Sequence, residues 1–231
     1  MARLWQTSAT LMLRSLSTLV FGCLLAACGE DEASGALGQA SARAACADSD
    51  VTCSSALGLR APLATGQSLP VSVSLSLQGG GSPPLTLTSA DPSVFSVDGT
   101  RLLGVRPGVA ALLITTSDQR VVDFVHVWVA DPTSLVVMRH THDGVEQAPV
   151  PASMQLAVGD DLNLSVVPYA ADRRLAGEVQ GTWETSDDAV VQLLDAALPT
   201  QHRVRARAPG KATLSVRTEH ASQSVEVSVL P

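Results

Sequence analysis

The histidines, cysteines, carboxylates and arginines are the places where this chain could do chemistry, and each group also has a plainer reading. His140 and His142 are followed by Asp143. Alternate residues of an extended segment project to one side, so the two imidazoles could share a side and hold a divalent metal, with Asp143 as the third ligand. They also close a strand ahead of the Asp143-Gly144-Val145 turn, where polar residues are ordinary. His126, His202 and His220 stand apart in sequence and read as surface or sheet-face residues. Cys46 and Cys53 bracket Ala-Asp-Ser-Asp-Val-Thr. In an oxidising compartment that spacing reads as a disulfide, whose small loop stabilises by about 2–3 kcal/mol. The sharper alternative recruits Asp48 and Asp50 to a metal, but no further Cys or His lies close enough to complete a four-coordinate zinc site. Asp160-Asp161 and Asp187-Asp188 could hold calcium at loops, yet they fall in turns where Asp bonds its own backbone. Arg203, Arg205 and Arg207 stripe one face of a strand, either as a solvated face that discourages edge pairing or as a site for an anionic polysaccharide or lipid headgroup. No nucleophile elbow, His-Glu-x-x-His, Walker loop or Ser-x-x-Lys is present. No catalytic residue, resident metal or cofactor is assigned, and the chain reads as a non-enzyme.

The beginning of the chain carries an address. Residues 1–27 hold only Arg3 and Arg14 as charges, then an apolar stretch from Leu16 to Ala27 broken by Ser17, Thr18 and Gly22. A spanning helix needs about 20 apolar residues; this shorter run suits the h-region of a signal peptide. It ends in Leu25-Ala26-Ala27-Cys28, which resembles the lipobox of bacterial lipoprotein precursors. The resemblance implies cleavage before Cys28 and diacylglycerol on its thiol, so that acyl chains on Cys28 make the membrane a partner. One chain binds marginally at about 0.8 kcal/mol per buried CH₂, whereas two or three hold a domain more or less permanently. Gly29 rather than aspartate follows the cysteine, which in enteric-type sorting implies the outer membrane. The face of the membrane, periplasmic or external, is left open.

Composition narrows the partners. The formal charge is −7, and losing the leader's two arginines and no acid makes it −9. Lys211 is the only lysine, and no basic block is present, so nucleic acid, whose binding depends on neutralised phosphates, is excluded as a partner.

Residues 28–55 are rich in Ala, Ser, Gly and Asp without apolar period and read as a lipidated flexible tether, with a root-mean-square reach of roughly 30 Å. Beyond them the pattern is β. Val71, Val73, Leu75 and Leu77 alternate with serines. Leu162, Leu164 and Val166 alternate with Asn163 and Ser165. Ala212, Leu214 and Val216, then Val225, Val227 and Val229, repeat the period. Such runs between Gly, Pro, Asp and Ser turns indicate an antiparallel sandwich. The chain also repeats itself: Ala64-Thr65-Gly66 matches Ala157-Val158-Gly159, Ser89-Ala90-Asp91 matches Thr185-Ser186-Asp187, and Arg106-Pro107-Gly108 matches Ala208-Pro209-Gly210. Two copies follow, 56–131 and 132–231, joined near Asp131-Pro132. Gly108 and Gly210 are expected to take positive φ in turns. Trp183 is expected as the large aromatic bridging the second core.

These blocks resemble the group 2 bacterial immunoglobulin-like domain. The second copy carries the Val158-Gly159-Asp160 turn, Trp183-Glu184-Thr185-Ser186-Asp187 and Ala208-Pro209-Gly210-Lys211-Ala212-Thr213-Leu214. The first departs, with Thr65-Gly66-Gln67 at the turn and Leu87 for the tryptophan. The resemblance covers most of 57–231 and implies two tandem immunoglobulin-like Greek-key β-sandwiches. The function it implies is a cell-surface spacer or adhesive module. The alternative is a periplasm-facing structural lipoprotein that binds another envelope protein.

The two copies differ in one telling way. Phe124, His126 and Trp128 align with Ser224, Glu226 and Ser228, and Leu113 aligns with Ser215. With Val125, Val127 and Val129 directed inward, Leu113, Phe124, His126 and Trp128 form an apolar outer patch, and such patches usually have a cover. The tether or the second domain could supply it; otherwise the patch is a binding face for a protein or glycan with Trp128 as anchor.

Overall fold

The computed structural model describes residues 38–46, 58–77, 81, 83–140, 147–196 and 200–231. Its strands are β1 (Gly38–Ala44), β2 (Leu63–Ala64), β3 (Ser68–Leu77), β4 (Leu85–Ser89), β5 (Phe95–Asp98), β6 (Arg101–Gly104), β7 (Gly108–Thr116) and β8 (Val121–Ala130). They continue as β9 (Ser134–His140), β10 (Gln147–Pro149), β11 (Ser153–Ala157), β12 (Asp161–Ala170), β13 (Arg173–Arg174), β14 (Thr182–Thr185), β15 (Val191–Asp195), β16 (Gln201–Ala206), β17 (Gly210–Arg217) and β18 (Ser222–Leu230). One 3₁₀ turn, Gly58–Arg60, is the only helical element among the described residues.

The strands form two sandwiches with one plan. In the first, the sheet β1-β3-β6-β5 faces the sheet β2-β8-β7-β4; in the second, β10-β9-β12-β16-β15 faces β11-β18-β17-β14. Each core draws on both of its sheets. Leu69, Val71, Phe95 and Leu102 meet Leu112, Val127 and Val129 in the first, and Leu164, Val166 and Val204 meet Leu214, Val225 and Val227 in the second. The duplicated motifs are duplicated hydrogen bonds. Gly66 N donates to Gly104 O and Gly159 N to Ala206 O, both at 2.9 Å, and both glycines have positive φ (77° and 94°), which only glycine adopts without strain. Gly108 and Gly210 take the expected positive φ (159° and 156°) at the first residues of β7 and β17. Space constrains them as well, because a Cβ would sit 3.0 Å from Val94 Cγ2 or 2.8 Å from Val190 Cγ2.

Residues 38–44 correct the expectation of a tether running to residue 55. β1 pairs antiparallel with β3 from Gly38↔Leu77 to Ala44↔Val71, occupying the place that β9 occupies beside β12. A sandwich lacking it would leave β3 with a bare edge. Ala40 and Ala44 are buried, and Ala42 and Cys46 pack against the first core. The strand is held from the opposite sheet too. The β7–β8 register shifts between Ile114 and Thr115, and this bulge turns the consecutive residues Val122 and Asp123 inward. Asp123 Oδ2 accepts from Ala40 N at 2.9 Å, and its Oδ1 accepts from Phe124 N at 2.8 Å.

A segment of the second sandwich joins the first as an added strand. Ala176 bridges Leu63 in parallel, and Glu178 bridges Ser68 antiparallel. Ala176 N donates to Pro62 O (2.7 Å), Ala64 N to Ala176 O (2.9 Å) and Glu178 N to Ser68 O (2.7 Å). Ala176 packs against the first core while Val179 belongs to the second. Arg101 pairs with Glu178 across the joint, and Arg173 Nη2 reaches Arg60 O at 2.9 Å. The ion pair is partly exposed and contributes at most about 1 kcal/mol; the backbone pairing is what fixes the joint.

Two outcomes test these attachments. Asp123→Ala leaves Ala40 N buried without an acceptor, costing about 1–3 kcal/mol. Hydrogen exchange should speed up across Gly38–Ala44 and stay unchanged in the second sandwich; equally fast exchange there in the unaltered chain would mean that β1 is not docked. Gly177 has φ 128°, and a Cβ on it would lie 2.8 Å from Gln67 Cβ. Gly177→Ala should therefore cost about 1–3 kcal/mol and split unfolding into two calorimetric transitions where the unaltered chain shows one.

Candidate binding face

Past the bulge, β8 alternates regularly. Val127 and Val129 are buried and Val125 packs partly into the core, so Phe124, His126 and Trp128 point outward. The ladder places Leu113 opposite Phe124, Ala111 opposite His126 and Val109 opposite Trp128. Phe124 is 41% exposed, Trp128 44% and Val109 50%; His126 is exposed and Leu113 half-buried. The second sandwich therefore does not cover this face. Phe124 and His126 meet edge to face with centroids 5.5 Å apart, and His126 tilts against Trp128 at 6.2 Å. Thr86, Thr88, Thr115, Thr116, Ser117 and Gln119 line a hollow of about 360 Å³ at the other end of the face from Trp128. Sequence reasoning missed Val109 and this hollow. Val109 follows the repeated Pro-Gly and reads there as part of a turn, and the threonines come together only through the pairing of β4 with β7.

The equivalent face of the second sandwich is polar: Lys211 pairs with Ser228, Thr213 with Glu226 and Ser215 with Ser224. Its other sheet bears the arginines. Asp161 Oδ2 takes Arg203 Nη2 at 2.7 Å and Arg205 Nη2 at 2.8 Å, so two of the three guanidiniums already have a carboxylate. Hydrogen bonding from Arg203, and then from Arg205, holds the Asp161 carboxyl below the usual range. Burial pushes the His202 imidazole down, beside Trp183 at 5.3 Å. Trp183 itself is half-buried on β14 at the margin of the second core, whereas the fully buried aromatic is Phe95 in the first. That reverses the expectation for the tryptophan: β14 is an edge strand, so its large side chain closes the side of the core instead of filling its centre.

The remaining candidates fall as follows. Cys46 is disulfide-bonded; Cys28 and Cys53 lie outside the described residues, as do His142 and Asp143. His140 is buried, bonding through Nε2 with Ser165 Oγ. Ser165, on the expected polar phase of β12, is fully buried for the same reason. Asp160 Oδ2 accepts from Ala157 N at 2.7 Å and Asp187 Oδ1 from Ala189 N at 2.9 Å, so both carboxylates serve the turns. Among the described residues no cluster of three His, Cys, Asp or Glu is placed to hold a metal, and no helix is long and apolar enough to cross a membrane.

Strand order, two facing sheets per copy and the Greek-key connections define two tandem immunoglobulin-like β-sandwiches. No protein-family model matches the chain, and no curated protein does. Among solved structures it is similar to domains 5–6 of the S-layer protein SbsC, with 15% identity over 84% of this chain and 97% of that one and a TM-score of 0.32. It is also similar to the Yersinia pseudotuberculosis adhesin InvE (16% identity, 74% of this chain and 56% of that one, TM-score 0.33). A third likeness is to the Escherichia coli adhesin FdeC (11% identity, 85% and 66%, TM-score 0.33). These likenesses are too distant to bear on function, and the fold class rests on the topology.

The Asp161 cluster yields a pH-dependent outcome. A carboxyl whose folded pKa is depressed adds stability that is present above the unfolded value of about 3.9 and is lost as pH falls through the folded value. An NMR titration should give Asp161 a midpoint below the usual carboxylate range, and Arg203→Ala should raise it. An unmoved midpoint would mean that the pair is not formed.

Proposed function

We propose that this chain is a non-enzymatic envelope lipoprotein, anchored by acyl chains on Cys28 and presenting a binding face on the first of two group 2 bacterial immunoglobulin-like domains. The observation that carries this reading is the contrast between twin faces. Phe124, Trp128 and Val109 lie open on one sandwich, while the matching ladder of the other is built from serine, threonine, lysine and glutamate. A duplicated scaffold keeps an exposed aromatic row on one copy at a cost in solubility, and an exposed apolar patch of this kind marks an interaction site.

The disulfide on Cys46 supports export, since such bonds persist in oxidising compartments. We assign Cys53 as its partner, the cysteine that remains once Cys23 leaves with the leader and Cys28 carries lipid. The outer membrane is the proposed location, with the sandwiches acting as spacer and binding module for a protein or glycan.

Protease treatment of intact cells, with Cys28→Ala as control, tests location and anchor together. Digestion of the unaltered protein on unbroken cells is the expected result for a surface module. Protection until the outer membrane is opened would leave the periplasm-facing structural role. Retention of Cys28→Ala on the membrane in either case would overturn the lipid anchor.

A further inference from the structure

We infer that the end of the second sandwich at Ala157–Asp161 is a strand-accepting site, built like the joint and held shut by Asp160 and Asp161. Its occupant is an extended segment of an unlike protein that offers a small residue, a glycine and an acid in succession. This end shares no residue with the aromatic face of the first sandwich.

The two copies match bond for bond at this end. Thr65 N donates to Ala130 O and Val158 N to Leu230 O, both at 3.0 Å. Gln67 N donates to Ala64 O at 3.1 Å and Asp160 N to Ala157 O at 3.0 Å. The parallel pairs Leu63↔Val129 and Leu156↔Val229 correspond, as do the antiparallel pairs Ser68↔Leu103 and Asp161↔Arg205. Ala64 is therefore the counterpart of Ala157, Ser68 of Asp161 and Arg101 of Arg203. What differs is the cover. Pro62, Ala64 and Thr65 are buried, whereas Gln155, Ala157 and Val158 are exposed, and Val158 and Leu230 remain 44% and 49% accessible. Val158 N bonds to Leu230 O and Glu226 N to Ala152 O, so alternate residues of β11 face β18. Gln155 and Ala157 then turn their backbone groups outward, as Pro62 O and Ala64 N turn toward Ala176.

Two side chains of the second copy make for themselves the bonds that the joint makes with an incoming strand. At the joint, Ala64 N donates to Ala176 O at 2.9 Å; here Ala157 N donates to Asp160 Oδ2 at 2.7 Å. At the joint, Arg101 pairs with the Glu178 carboxylate; here Arg203 pairs with Asp161 at 2.7 Å. The first copy has Gln67 and Ser68 at these positions, and Gln67 Oε1 accepts from Gln180 N of the incoming segment at 3.3 Å. The aspartates thus stand in for a strand, and a strand enters by displacing them. The joint shows what fits. Ala176 packs against the core that includes Leu63, Gly177 takes a positive φ of 128°, and Glu178 brings the carboxylate. The second sandwich offers Leu156 as the same apolar seat and Arg203 as the same cation. A second copy of this chain has no such segment to give, because its own Ala176–Glu178 is already paired in its own joint; the occupant is therefore an unlike protein.

An NMR titration of the isotope-labelled full chain with the synthetic peptide Leu-Ala-Gly-Glu-Val-Gln, the sequence of Leu175–Gln180, tests site and latch together. The unaltered chain is compared with the double variant Asp160→Gln, Asp161→Ser, which carries the residues of the first copy. Both positions are exposed, and unchanged amide positions along β17 and β18 report that the variant is folded. Millimolar peptide should shift the amides of Gln155, Ala157 and position 161. The variant should bind it about tenfold more tightly than the unaltered chain, the worth of one charge-assisted hydrogen bond that no longer competes. A peptide with lysine in place of its glutamate should lose that gain. Equal binding by the two forms would overturn the latch, and no shift in either would overturn the site. Shifts at Leu63 and Ala64 alone would mean exchange into the joint and would overturn the site as well. Shifts at Gln155 and Ala157 on concentrating the variant without peptide would make the occupant a second copy and overturn the unlike partner.

Discussion

A single bulged residue in β8 decides which way most of the first sandwich faces. By placing Val122 and Asp123 on the same side, it delivers a carboxylate to the interior and resets the alternation that follows. Upstream, the carboxylate holds the backbone of Ala40 and so fastens β1 across the open side of the core. Downstream, the reset phase sends the valines inward and the aromatic row outward. A buried carboxylate is costly unless hydrogen-bonded, and Asp123 meets that requirement with two backbone donors, one from β1 and one from its own strand. First strand and exposed face thus depend on the same local irregularity.

How much of this could be read beforehand follows from where each signal resides. The strands with strong period-2 patterns, such as Val225, Val227 and Val229, announce themselves because alternation is local. The outer patch was legible for the same reason, once the two copies were compared position by position. β1 was not, because its inward residues are Ala40, Ala42 and Ala44, whose small apolar area resembles a linker; its claim to be a strand comes from β3 and Asp123, which are distant in sequence. The twin strand β9 reads Ser-Leu-Val-Val-Met-Arg-His and is plainly apolar, so duplication alone would have demanded a counterpart upstream of Leu63. The joint was illegible too. Leu175 to Gln180 has the composition of a loop, and its pairing with Pro62 to Ser68 exists only after both sandwiches form.

The duplication also shows which parts of an immunoglobulin-like domain tolerate change. Both copies keep the glycine turn, the aspartate whose side chain caps the following residues (Asp91 to Ser93 N at 3.0 Å, Asp187 to Ala189 N at 2.9 Å), and the glycine packed against a valine. These fix backbone paths. Core identities have drifted within volume limits, Phe95 standing where the other copy has Val191, and Leu87 where it has Trp183. The outward faces have diverged furthest, one to rings and the other to hydroxyls and charges. Conformation is retained and surface chemistry is free, which is how one scaffold comes to carry two unlike sides.

The placement of β1 has a mechanical side as well. Ala40 lies at Asp123 near the start of β8, while Leu63 lies at Val129 near its end, so the chain enters the first sandwich at one end of its strands and leaves at the other. Tension between the segment before Gly38 and the second sandwich therefore runs along β1 against β3. Their ladder bonds, perpendicular to the strands, are sheared together and share the load; they are not opened one after another like a zip. A domain threaded in this way yields late under pull, the property wanted in a stalk that must stay folded while something tugs at it.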